Sequence, residues 1–210
     1  MTTLQASNIS LKEVHQLLGL KRQYNGSFVP LLSLEPLTEF EQQELRKIRD
    51  YFENYLDNNK ASEGQVKLVA ISPLLRLAGF FADGIEIKVE EGIARIEVQS
   101  EDLLISGRFD ILAINQEKSS RENQDFWVLV IESKESLAST IAGLPQVLTY
   151  AYSSLKHQPT VWGLVTNGAS YQFIYMQQGN PPTYQYMPEL NLLNDSSLMQ
   201  LLQVLKAICE

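Results

Sequence analysis

Two apolar segments constrain this chain more than anything else in it. They are Gly107-Arg108-Phe109-Asp110-Ile111-Leu112-Ala113-Ile114 and Phe126-Trp127-Val128-Leu129-Val130-Ile131-Glu132-Ser133-Lys134, and the polar stretch Asn115 to Asp125 lies between them. Rich in β-branched and aromatic residues, they read as neighbouring strands of a hairpin whose side chains belong in a core. Charge inside such a run is costly unless it is paired or bound to a metal. Yet Asp110 interrupts the first segment, and Glu132 and Lys134 close the second. Residues two apart on a strand share a face, so Glu132 and Lys134 point together, and hairpin pairing brings Asp110 alongside them. Two carboxylates and an ammonium at a sheet edge can hold a divalent cation and help hydrolyse a phosphodiester. The plainer alternative is a salt bridge at a strand end, Glu132 with Lys134 or Asp110 with Arg108.

The remaining chain supplies the frame. Ser10 to Gly19 reads as a short helix, Ser-capped and Gly-stopped. A connector through Phe28, Pro30 and Pro36 leads to the capping box Thr38-Glu39-Phe40-Glu41. That box opens a helix with the apolar face Phe40, Leu45, Ile48, Phe52, Tyr55 and Leu56, ended by Asp57-Asn58-Asn59. A second box, Ser62-Glu63-Gly64-Gln65, starts a helix stopped by Gly79, which Pro73 should bend or break. Ile85 to Val89 and Ile93 to Val98 alternate and read as a hairpin turned at Glu91-Gly92. After the two charged strands a helix is expected near Leu137 to Leu155, with Pro145 suited to its first turn. Thr160 to Thr166 and Tyr171 to Met176 read as a hairpin around Asn167-Gly168, Asn180-Pro181-Pro182 as a turn, and Ser196 to Ile208 as a closing helix. No internal repeat is present. This order predicts an α/β (α+β) class: a central mixed sheet flanked by helices, as residues 59–210, behind an N-terminal helical extension, residues 1–58.

Composition narrows the partners. A formal net charge of −8 over 210 residues argues against a broad basic surface, so any nucleic-acid contact must be local, through residues such as Arg95, Arg108, Lys134 and Lys156, or supplied by a second subunit. No apolar run approaches the ~18 residues of a membrane helix, and the first residues lack a secretory pattern. The single cysteine, Cys209, excludes an internal disulfide and a cysteine-based zinc site, and fits a cytoplasmic protein. His15 and His157 are the only imidazoles. His15 has no evident partner, His157 suits a helix C-terminus, and Trp127 and Trp162 read as core.

Gln146 and Tyr150, four apart on the helix after the charged strands, share one face. With Asp110 and Glu132-Ser133-Lys134 they make the chain resemble the PD-(D/E)XK nuclease superfamily, whose pattern is an acid, an acid-x-lysine on the next strand, and Gln-x-x-x-Tyr on the following helix. Within it the chain looks most like the N-terminal nuclease domain of type I restriction enzyme motor subunits. That likeness also takes in Ser62 to Lys67, Ser72 to Phe80 and Trp162 to Gly168, and spans roughly residues 60–176. Phe109 stands where the motif has proline, and no phosphate-binding motor motif is present. The resemblance implies a restriction-endonuclease-like core and a Mg²⁺- or Mn²⁺-dependent deoxyribonuclease of endonuclease type. It implies that Asp110, Glu132, the Ser133 carbonyl and Glu63 hold the metal, and that Lys134, Gln146 and Tyr150 complete the catalytic set. Duplex DNA is the implied partner, with a separately encoded subunit or a homodimer as further candidates and no membrane. Two other readings stay open: a catalytically weak or inactive nuclease-fold module for nucleic-acid or protein binding, and a structural α/β protein in which Asp110 and Glu132 lie far apart.

Overall fold

In the computed structural model, which describes residues 2–93, 95–98, 103–120 and 124–210, the two charged segments pair inside the larger of two sheets. The chain begins with β1 (Thr2–Gln5), α1 (Leu11–Leu18), β2 (Lys21–Gln23) and α2 (Glu39–Asn58). The short helix α3 (Glu63–Gln65) then runs through wide π-type turns, Val66–Ile71, into α4 (Ser72–Leu77). Strands β3 (Ile85–Val89), β4 (Ile96–Val98), β5 (Leu103–Ser106), β6 (Ile111–Ser120) and β7 (Gln124–Ser133) precede α5 (Leu144–Ser154). Strands β8 (Thr160–Thr166), β9 (Ser170–Gln177), β10 (Thr183–Tyr186) and β11 (Leu190–Asn191) lead to α6 (Asp195–Cys209). The large sheet has the order β2-β10-β9-β8-β7-β6-β3, with β11 on β9, and the small one β1-β5-β4. Strand β8 runs parallel to β7 and β6 antiparallel to it, so the sheet is mixed and α5 is the crossover from β7 to β8. The expected α/β class, a large mixed sheet flanked by helices, is what forms.

Both faces of the sheet are covered, which explains why its inner strands are apolar throughout instead of alternating. Ile111, Ala113, Leu129, Ile131 and Leu164 face a core shared with α2, α4 and α6. Leu112, Ile114, Val130 and Val165 face one shared with α1, α5 and the small sheet. Residues 1–58 contribute to both cores. Strand β1 pairs with β5, β2 pairs with β10, and Leu45, Ile48 and Phe52 of α2 are buried. Gly168, with φ of +89°, lets the turn between β8 and β9 approach α2, since a Cβ there would lie 2.3 Å from Phe52 Cζ. Among the described residues no helix is long and apolar enough to cross a membrane.

Several local expectations are corrected. Glu91-Gly92 is not a hairpin turn: β3 pairs with β6 in the large sheet, and β4 pairs with β5 in the small one. Together they form one long antiparallel ribbon that bends between the sheets. Gly92 bridges Arg108 at the bend, Glu90 N–H donates to the Asp110 carbonyl and Ile93 N–H to that of Gly107. A sequence window sees only the turn chemistry; the partner strand lies far along the chain. Residues 99–102, between β4 and β5, lie outside the described residues. Likewise the polar stretch from Asn115 is strand for much of its length, with β6 reaching Ser120 and β7 starting at Gln124. Phe40 and Tyr55, expected on the apolar face of α2, are exposed. Pro73 lies in the first turn of α4, after the π-type turns, and the helix expected from Leu137 becomes regular only at Leu144, following a 3₁₀ turn at Thr140–Gly143.

Candidate functional site

Asp110 lies at the bend of the ribbon, just before β6. The register of β6 on β7 pairs Ile111 with Ile131 and Leu112 with Val130, and one further step sets Asp110 across from Glu132. Glu132 shares its strand face with Val130 and so turns toward α5. Asp110 does not lie far from Glu132, which removes the reading of scattered, coincidental charges. Ser133 fastens the pair: its backbone N–H and its hydroxyl both donate to Asp110 Oδ2, at 2.6 and 2.8 Å. This is a side-chain role that the sequence did not disclose, since Ser133 was expected to act through its carbonyl.

Lys134 Nζ donates to Glu132 Oε1 (2.5 Å) and to Gln146 Oε1 (3.1 Å). The Gln146 amide donates in turn to the Tyr150 hydroxyl (3.2 Å), so the i,i+4 pair on α5 works as one unit. Gly143 makes this contact feasible. A Cβ there would fall 2.6 Å from Val165 Cγ1, 3.1 Å from Glu132 Cγ and 3.4 Å from Lys134 Cε. The start of α5 can therefore rest against the two charged side chains only because this residue has none.

Glu63 reaches the cluster through Lys67, four residues on. Lys67 Nζ lies 3.1 Å from Glu63 Oε1, 2.9 Å from Asp110 Oδ1 and 3.3 Å from Glu90 Oε1. The start of α3 is tied to the end of β7: Ser136 N–H donates to the Ala61 carbonyl, and Ala61 N–H to the Ser136 hydroxyl. Asn167 donates from its side chain to the Ser136 and Ala138 carbonyls, so the residues after Lys134 are held by the β8–β9 turn as well. The cation on Asp110 is thus Lys67 and not Arg108, which bonds Glu90 through both its backbone carbonyl and its carboxylate. Lys67, Glu90 and Gly143 were not among the expected site residues. Only Lys67 had a signal, its i,i+4 spacing from Glu63.

The electrostatics are unbalanced. Glu132 is 3% exposed, and its Oε2 has no hydrogen-bond partner among the described residues. Burial first, and then the charge of Asp110, push its carboxyl up to about 7, against the opposing pull of Lys134; Glu63 adds to the rise. Burial likewise raises Tyr150. For Lys67 burial is the largest influence and acts downward, but the bonds to Asp110 and Glu63 outweigh it and hold the ammonium well above the ordinary lysine range.

This donor set fits a hard divalent cation. Carboxylate and carbonyl oxygens are the ligands such ions prefer, and a buried carboxylate oxygen without a partner, next to a second carboxylate, is a group that a cation would stabilise. Among the described residues no three His, Cys, Asp or Glu side chains converge as a ready ligand cage. Lys67 stands among the acids instead.

Elsewhere, His15 is not partnerless: its Nε2 lies 2.6 Å from the Tyr184 hydroxyl, and the two rings stack. Trp162 is buried as expected and stacks with Phe28.

No protein-family model matches the chain, and no curated protein matches it. Among solved structures the chain is similar to a fragment of a protein assigned as an HsdR subunit of a type I restriction enzyme from Vibrio vulnificus YJ016. The two are 19% identical, with a TM-score of 0.38, over 68% of this chain and 25% of that one. The match therefore spans about a quarter of that fragment's chain.

Proposed function

We propose that this protein is a metal-dependent nuclease that hydrolyses phosphodiester bonds of DNA, with Asp110, Glu132 and Lys134 at its centre. One observation carries the reading: a nearly fully buried glutamate with an unpartnered oxygen sits beside a second carboxylate and a lysine, at the end of an apolar strand. Packing gives no reason for that arrangement, and burial of an imperfectly paired charge opposes folding. Asp110, Glu132 and Glu63, with the Ser133 carbonyl, are the oxygens that would hold Mg²⁺ or Mn²⁺. Bound there, such an ion would supply Lewis-acid polarisation of the phosphodiester.

The chain's own groups then divide the work. Lys134, a donor without acceptor capacity, is held by Glu132 and Gln146 and offsets the negative charge that develops on the phosphoryl oxygens. Gln146 and Tyr150 fix the lysine's direction and act as positioning residues. Ser133 holds Asp110 in register with Glu132. Duplex DNA is the proposed substrate. The chain's negative charge makes local contacts, a homodimer or a separately encoded subunit the source of grip.

The deciding experiment incubates the protein with supercoiled, linear duplex and single-stranded DNA in Mg²⁺, Mn²⁺ or EDTA. Cleavage is expected with metal and not in EDTA, and is expected to vanish in Glu132→Ala and Lys134→Ala while their circular dichroism stays native. Undiminished cleavage by Glu132→Ala would remove the assignment. A second reading, a nuclease-fold binding module without activity, is favoured by both oxygens of Asp110 being engaged within the protein. Metal binding without cleavage of any DNA form would select it.

A further inference from the structure

Besides Glu132 on β7, the site has three acids from separate places: Glu63 from α3, Glu90 from the bend after β3, and Asp110 from the bend before β6. A single ammonium joins them. Lys67 Nζ is within 3.3 Å of an oxygen of each, which matches the three donors an ammonium has. Among the described residues no other lysine or arginine reaches Asp110 or Glu63. The Lys67 side chain is 17% exposed, so it is largely enclosed yet keeps contact with solvent. Its four-carbon stem leaves from the π-type turns Val66–Ile71, and the neighbouring Leu68 is exposed. The buried residues of these turns are Val66, Ala70 and Ile71, so packing against the core does not depend on the Lys67 side chain.

We propose that Lys67 is the resident cation of the site, which a divalent ion has to displace before Asp110 and Glu63 can turn to it. The inference rests on the metal-site reading above and deepens it. The ammonium is a compact point charge that offsets part of the charge of three carboxylates while the ion is away, so their mutual repulsion is weakened and the acids stay gathered. Its presence opposes binding of a second cation at the same oxygens. Displacement then exposes the full negative charge of Asp110 and Glu63 to the incoming ion. The lysine thus links metal uptake to a side-chain movement and makes affinity weaker than the carboxylate count alone would give.

The test is calorimetric titration with Mn²⁺ at fixed ionic strength, with wild type, Lys67→Met, Lys67→Gln, Glu132→Ala and the double variant Lys67→Met/Asp110→Asn. Removing the ammonium is expected to tighten Mn²⁺ binding at least tenfold, with Asp110→Asn cancelling the gain. Melting temperature gives an independent readout. Lys67→Met and Lys67→Gln should melt below wild type in EDTA and recover more than wild type does on adding Mn²⁺. Equal or weaker Mn²⁺ binding in both Lys67 variants overturns the proposal. If, in that case, wild type binds Mn²⁺ and Glu132→Ala does not, the metal site stands and only the role of Lys67 is removed. Absence of Mn²⁺ binding in every protein removes both.

Discussion

Two charged regions of this molecule obey opposite rules. Where α2 meets α6, Lys206 pairs with Glu41, and Arg49 with both Asp195 and its neighbour Asp50, two acids that are exposed. Burial opposes ionisation of Glu41, yet its bonds to Lys206 and Thr38 outweigh that and hold its carboxyl below the ordinary range. At the end of β7, Glu63, Glu90, Asp110 and Glu132 face Lys67 and Lys134, with Arg108 on Glu90, and the most buried acid is shifted the other way, up to about 7. Charge that serves packing is paired, as in Lys206 with Glu41, or left in solvent, as in Asp50 and Asp195. Charge that is buried, in excess and imperfectly paired lowers stability, which is the usual mark of a site shaped for chemistry or binding.

The largest test of that contrast is catalytic. Glu132→Ala and Lys134→Ala should each lower metal-dependent DNA cleavage by about 10³-fold or more, an effect of about 4 kcal/mol on the barrier. Arg49→Ala, in the matched region, should leave cleavage unchanged. Equal losses in the two regions would mean that the variants report folding alone.

The second test is stability against pH in EDTA. Below about pH 4.5, the ordinary glutamate value, Glu132 is protonated in folded and unfolded chains alike. Between there and about 7 the unfolded chain ionises while the folded one keeps its proton, so rising pH costs stability across this window. Glu132→Gln retains an acceptor for Lys134 and removes the titration. It should be more stable than wild type by about 2–3 kcal/mol at pH 8, with the gap closing toward pH 4.5. A glutamine variant less stable than wild type at pH 8 would show that the Lys134 pair outweighs burial.

Legibility in the sequence followed the range of the forces involved. Capping at Ser10, Thr38 and Ser62 is local chemistry between residues three apart, and all three boxes form. The charges in apolar strands were legible for the same reason: pairing of β6 with β7 sets Asp110 beside Glu132 and Lys134, while Gln146 and Tyr150 come from α5. What could not be read was set by distant partners. Glu91-Gly92 has the chemistry of a turn but lies at a bend fixed by pairing with Arg108, and Glu90 enters the site only through that bend. Gly143 has no sequence signature either, since its need for no side chain comes from Val165, Glu132 and Lys134.

Gly143 offers the third test. In Gly143→Ala the new Cβ would collide with Val165 and crowd Glu132 and Lys134, which should cost about 1–3 kcal/mol of stability and lower cleavage as well. Gly64→Ala is the matched control, one residue from Glu63 in α3, with nothing within 4 Å of the added carbon. There the substitution should leave cleavage intact and stabilise by up to about 1 kcal/mol, through the lower backbone freedom of the unfolded chain. If both alanine variants lose activity alike, the contact of Gly143 with the charged pair is not what matters.

The smallest effect belongs to the matched region. Lys206→Ala should cost less than about 1 kcal/mol, because the pair is partly solvated and the lysine loses side-chain freedom in forming it. Lys206 is the better target than Glu41, whose other oxygen accepts from the Thr38 N–H and hydroxyl in the α2 cap, so that Glu41→Ala would remove two contributions at once. The loss should shrink in high salt, as expected for a pair open to counterions. Thermal melts of Lys206→Ala at low and high salt measure this directly. A loss of several kcal/mol that salt does not reduce would place the α2–α6 pair with the buried, costly charges of the β7 end, and the distinction between the two regions would fail.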